Sequence, residues 1–165
     1  MLPVINFFDA LIFLAANYSL TAAPRLALLS RTREFIPRLV RDTSLLTFFL
    51  TFISIIWWLF GSTLLTLLIP DSYGESIYLS KIVMIALPFI GVSTCFINAL
   101  YVRKRRWIVA TVFALDVVLV LIANVLLIPQ YGARASAWIT VGTEVWNAVI
   151  FGLICYRELV YAPSR

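Results

Sequence analysis

Three carboxylates fall inside stretches otherwise built from apolar side chains: Asp9, Asp116 and Glu144. A charge at the centre of a bilayer costs about 2.5–3.5 kcal/mol even on the permissive insertion scale, so such groups face protein, a water-filled cavity or the nearer interface. They are therefore candidates for solute or proton passage. On a helix turning about 100° per residue, Asn6, Asp9 and Asn17 share one face, and Asp116 and Asn124 repeat the eight-residue spacing. Two helices thus carry a polar stripe that is expected to point inward. Asn98, with Thr94, follows Pro88 and either lines a cavity or satisfies carbonyls that the proline frees. The candidate pathway set is Asp9, Asn17, Asn98, Asp116, Asn124 and Glu144. Two plainer roles compete. Intramembrane polar groups act as glue between helices at about 0.6 kcal/mol per contact, and Asp9 is shallow enough to snorkel to an interface.

What is missing narrows the chemistry. There is no histidine, which excludes zinc-helix proteases, His-dependent acyl transfer and His metal clusters. The six glycines are isolated, so no phosphate-cradling loop forms, and no G-x-S-x-G elbow occurs. Cys95 and Cys155 sit in apolar surroundings without paired spacing and read as inert buried thiols. No cofactor, no metal and no enzymatic activity are expected.

These residues need elements to position them. The chain of 165 residues is 62% hydrophobic and 13% charged, with a mean hydropathy of +0.99, outside the range of soluble domains. Crossing a hydrocarbon core of about 30 Å takes about 20 apolar residues in a helix. The spacing predicts five spans, at 3–23, 44–69, 82–102, 107–128 and 135–156, as a single all-α polytopic transmembrane bundle over 1–165. Barrel strands are excluded by the lack of alternating polarity. The first span is too long for a signal peptide and reads as an uncleaved helix. Pro88, with Gly91 close behind, is expected to kink the third span. Trp57 and Trp58 lie deep enough to pack between helices, whereas Trp107, Tyr131 and Tyr156 suit interfaces.

Eleven of the thirteen basic residues lie in loops on one side of this thread, and only Lys81 and Arg134 lie on the other. Short basic loops stay cytoplasmic, so the C-terminus is expected inside and Met1 outside. An outside N-terminus without a signal peptide suggests the tail of a larger protein. The segment 24–43 interleaves apolar residues with five arginines and reads either as an amphipathic helix in the cytoplasmic interface, broken before Pro37, or as a solvated loop. Arg25, Arg103 and Arg105 are candidate contacts for anionic lipid headgroups. Nucleic acid is not an expected partner, because no aromatic platform separates the basic residues.

The stretch Asn124-Val125-Leu126-Leu127-Ile128-Pro129-Gln130-Tyr131-Gly132, followed by small residues and Glu144, resembles the late helical hairpin of lipid-linked oligosaccharide flippases. These form the polysaccharide biosynthesis and export branch of the multidrug/oligosaccharidyl-lipid/polysaccharide transporter superfamily. Ala135 and Ser136 depart from the family's Gly and Ala but remain small. Tyr18 to Ser30 with Pro24, Leu67 to Tyr73 with Pro70 in place of a glycine, and Asn98 to Arg106 follow in the family's order. The resemblance implies the last part of a C-terminal lobe, in an inner membrane. It also implies a polyprenyl-linked glycan as substrate and alternating access against a missing N-terminal lobe or another membrane subunit. A small structural subunit without transport activity is the competing expectation.

Overall fold

The structure, a computed structural model, describes residues 2–29, 32, 34–68 and 74–160, with side chains from residue 8 onward except 66–68, 74, 76, 159 and 160. Six helices follow in order: α1 (Leu2–Leu29), α2 (Phe35–Leu68), α3 (Gly74–Met84), α4 (Leu87–Val102), α5 (Arg106–Tyr131) and α6 (Ala133–Val160). No strand occurs among the described residues, and the chain is an all-α bundle. Five segments are long and apolar enough to cross a membrane: Phe8–Leu29, Phe35–Leu65, Ile77–Val102, Arg106–Tyr131 and Ala133–Glu158. The molecule is a membrane protein by that measure.

Large apolar side chains point outward all round, among them Phe13, Phe48, Phe52, Phe60, Leu121 and Val125. In water such a surface would aggregate; in lipid it costs nothing. The centre is α4, which packs against α1, α2 and α6 and touches α5. Half of the Ile77–Val102 window is buried against 11% of α5, which lies at the rim. Small residues let the helices close on α4. A methyl group on Gly91 would sit 2.9 Å from Leu50 Cδ1, and one on Gly152 would sit 3.3 Å from Phe96.

The break that separates α3 from α4 follows from Pro88. Proline has no N–H, so the carbonyl four residues back, Met84 O, loses its helical donor. Ile85 and Ala86 turn away through short bonds to Ile82 O and Val83 O, and the helix restarts at Leu87. Ser54 Oγ on α2 donates to the stranded Met84 oxygen at 2.8 Å, with both groups buried. The expected kink is thus present as a full break, and a neighbouring helix repairs it.

The segment 24–43 departs from expectation. It holds no separate interfacial helix broken before Pro37. Instead α1 continues through Pro24 to Leu29, and α2 already begins at Phe35. Pro37 then sits in the first turn of α2, where its missing N–H would have had no helical acceptor. Of the five arginines there, Arg31 and Arg33 lie outside the described residues, as do Pro70 to Tyr73 and Arg165. Trp57 and Trp58 also divide. Trp57 is buried and donates from Nε1 to Ser80 Oγ at 3.3 Å, whereas Trp58 is exposed beneath the Lys81 ammonium.

Contacts sort the helix ends as the charge count does. Arg103 lies 5.1 Å above the Phe35 ring, and Arg105 pairs with Glu158 at 2.9 Å, so the start of α2, the α4–α5 turn and the end of α6 share the basic end. At the other end Arg134 faces Glu75 at 3.8 Å and covers the Tyr78 ring. The α4–α5 turn is a Schellman motif, with Arg105 N–H donating to Leu100 O and Lys104 N–H to Tyr101 O. Its left-handed position, usually a glycine, is held by Lys104 at φ +63°.

Candidate functional site

The α5–α6 hairpin turns on one residue. Gly132 has φ +61° and ψ −145°, a conformation essentially confined to glycine, and its N–H closes α5 by donating to Ile128 O at 2.8 Å. Pro129 lies within the last turn of α5 without ending it. In an antiparallel hairpin, residues equally far from the turn lie opposite each other. Asp116 precedes Gly132 by sixteen residues and Asn147 follows it by fifteen, so the two meet near the middle of their spans. Asn147 Nδ2 donates to Asp116 Oδ2 at 3.1 Å, and both residues are buried.

Glu144 lies one turn from Asn147 on the same helix and is half-buried. Asp116 also lines a recess of about 280 Å³ between α5 and α6, with Leu119, Val120, Ala123, Ile139, Gly142, Thr143 and Trp146. Among the described residues the ion pairs are Arg38–Asp42, Arg105–Glu158 and Arg134–Glu75, so neither Asp116 nor Glu144 has a cationic partner. The Asn147 side-chain oxygen is buried and accepts no hydrogen bond. The recess thus presents one carboxylate without a cationic partner, while the Thr143 hydroxyl donates to Ile139 O. That composition suits a proton or a cationic group better than an anion.

Asp116, singled out in the sequence, lies in this site, and Glu144 follows one turn from its partner Asn147; the other candidates do not join them. Asn124 lies one turn beyond Val120 and donates to Val120 O at 2.8 Å, so its amide is spent on its own helix. Asn98 is buried and donates to Ser19 Oγ, while Ser19 Oγ donates to Thr94 O at 3.4 Å. These bonds tie α1 to α4. The α1 stripe does not face inward. Leu11, Ala15, Ser19 and Leu26 form the buried side of α1, which leaves Asp9 and Asn17 exposed on the opposite side. Asn17 satisfies its amide on Phe13 O at 2.7 Å, and Asp9 lies only one residue inside the Phe8–Leu29 span, within reach of an interface. The side chain of Asn6 lies outside the described residues.

Of the three candidate headgroup arginines, only Arg25 is simply exposed, near the end of α1. Arg103 is half-buried, donates from Nη1 to Glu158 O at 3.4 Å and has a buried Nε without a partner. Arg105 donates to the Glu158 carboxylate. Both are committed to clamping α6 against the α4–α5 turn.

Asn147 was not evident from sequence, although its distance from the Gly132 turn matches that of Asp116. Asp42 also escaped notice, because it lies in the stretch expected to be an interfacial segment. The structure buries it beneath Arg38, whose Nε lies 3.3 Å from Oδ2, beside Thr43 and near Cys95. The i, i+4 spacing of Arg38 and Asp42 was the available signal. Among the described residues no group of three or more His, Cys, Asp or Glu side chains could hold a metal ion. No protein-family model, curated protein or solved structure matches this chain.

Proposed function

We propose that the bundle is part of a membrane transporter, with Asp116 and Glu144 as the polar step in its path. What carries this reading is a buried carboxylate near mid-span, Asp116, beside a recess and without a counter-ion among the described residues, with Glu144 one helical turn from its partner Asn147. Holding such groups in a bilayer is costly, and packing alone calls for neutral partners. The substrate class follows the flippase resemblance: a polyprenyl-linked glycan, moved with an opposing lobe. Its pyrophosphate is repelled by the carboxylates and so belongs to the basic end, where Arg38, Arg41 and Arg103 to Arg106 lie. The carboxylates would carry a proton or cation instead.

The same reading sets the basic end in the cytoplasm of a cell with this protein in its inner membrane, the C-terminus inside and Met1 outside. Reporter fusions at both ends test it, and a cytoplasmic reporter before Met1 overturns the orientation. Transport is tested in phosphatidylethanolamine/phosphatidylglycerol vesicles by protection of a fluorescent polyprenyl-pyrophosphate disaccharide from an outside quencher. The protein should speed exchange, and Asp116→Asn or Glu144→Gln should slow it at least tenfold. Exchange no faster than in protein-free vesicles overturns the transport reading. It would favour a structural subunit, a reading supported by Asn98–Ser19, Ser54–Met84 and Trp57–Ser80, which spend interior polar groups on packing.

A further inference from the structure

We propose that the recess between α5 and α6 binds a lipophilic ammonium ion that enters sideways from the bilayer. The chemistry of the lining selects the class. Asp116, the one carboxylate in the lining, receives a single hydrogen bond, from Asn147 Nδ2, and has no ion-pair partner among the described residues. A ligand with N–H groups and positive charge supplies what this carboxylate lacks. An anion is repelled. A bare divalent cation finds too few oxygens, since calcium takes six to eight and magnesium keeps an octahedral shell. Thr143 spends its hydroxyl on Ile139 O at 2.8 Å, and the walls formed by Leu119, Val120, Ala123 and Ile139 are apolar and suit a hydrocarbon or aromatic body.

Position and size agree with this class. Leu119 and Trp146 are 49% and 44% exposed on the apolar perimeter, so the recess meets lipid rather than either aqueous end. A ligand already dissolved in the bilayer can enter with its tail left outside. Trp146 offers its ring to a cation at the mouth. A methyl group on Gly142 would meet nothing within 4 Å, so the space beside it is open. At about 280 Å³ the recess holds an ammonium group with one or two rings. Binding is read without translocation and stands apart from the transport reading: a protein that moves no glycan would still bind the amine.

The test uses the full chain in lipid nanodiscs with monodansylcadaverine as probe, its dansyl group reporting proximity by energy transfer from tryptophan. Empty nanodiscs give the partitioning background. Saturable binding is expected, and the N-acetylated, neutral form of the probe should bind at least tenfold more weakly. Gly142→Leu, whose Cβ enters open space beside the recess, and Asp116→Asn, which keeps the shape and removes the charge, should each raise Kd at least tenfold. Far-UV circular dichroism and melting temperature establish that both variants are folded. Equal binding of the neutral probe, unchanged binding to Gly142→Leu, or a signal no greater than that of empty nanodiscs overturns the proposal. The charge comparison between the two probes needs no variant, so a misfolded substitution leaves the test intact.

Discussion

Replacing Ser54 by Ala removes the hydrogen bond that Ser54 Oγ donates to the Met84 carbonyl, which Pro88 strands in the interior. In membrane proteins such bonds average about 0.6 kcal/mol and reach about 1.7, because the unfolded-in-lipid state finds other partners. Here that compensation is blocked. As long as residue 88 is proline, no helical state supplies Met84 O with its usual donor, so the loss should fall at about 1–1.7 kcal/mol. This corresponds to a roughly five- to twentyfold shift of the unfolding equilibrium. Titration with SDS in mixed micelles, followed by circular dichroism, reads the shift. The decisive measurement is the double-mutant cycle with Pro88→Ala, which restores an N–H four residues after Met84. Ser54→Ala should then cost less than about 0.5 kcal/mol. Equal costs in the two backgrounds would show that Ser54 does not repair the proline break, and the account of the α3–α4 junction would fail.

Other consequences are simpler to check. Lys104→Gly should raise the SDS midpoint, because a left-handed L-residue costs roughly 1–2 kcal/mol that glycine does not, and Lys104 holds φ +63°. Gly132→Ala should destabilise the α5–α6 hairpin by about 1–3 kcal/mol and lower the melting temperature; an unchanged melt would contradict the turn geometry at φ +61°. Cys95 and Cys155 are both buried, so a lipid-permeant maleimide should label neither in the folded protein and both after SDS unfolding.

The sequence by itself determined the class and which helix ends carry the basic residues. Twenty-odd apolar residues at a time specify helices in lipid, arginines gather at one end, and Pro88 breaks its helix because it lacks an N–H. It also marked Asp116 and Glu144 as exceptional, since charge inside an apolar span stands out against its neighbours. Only the tertiary structure decided which way each stripe faces. In a soluble protein, polarity marks the outer face of a helix; in lipid both faces are apolar, and the pattern no longer separates inside from outside. Hence the stripes on α1 and α5 looked alike. Asp9 and Asn17 turn outward because Leu11, Ala15 and Ser19 make the tighter contact with the bundle. Asp116 turns inward because the single-residue turn at Gly132 sets it opposite Asn147. The clamp of Arg103 and Arg105 on Glu158 depends on the return of α6, as does the packing of α4 among its neighbours, so neither could be read along the chain.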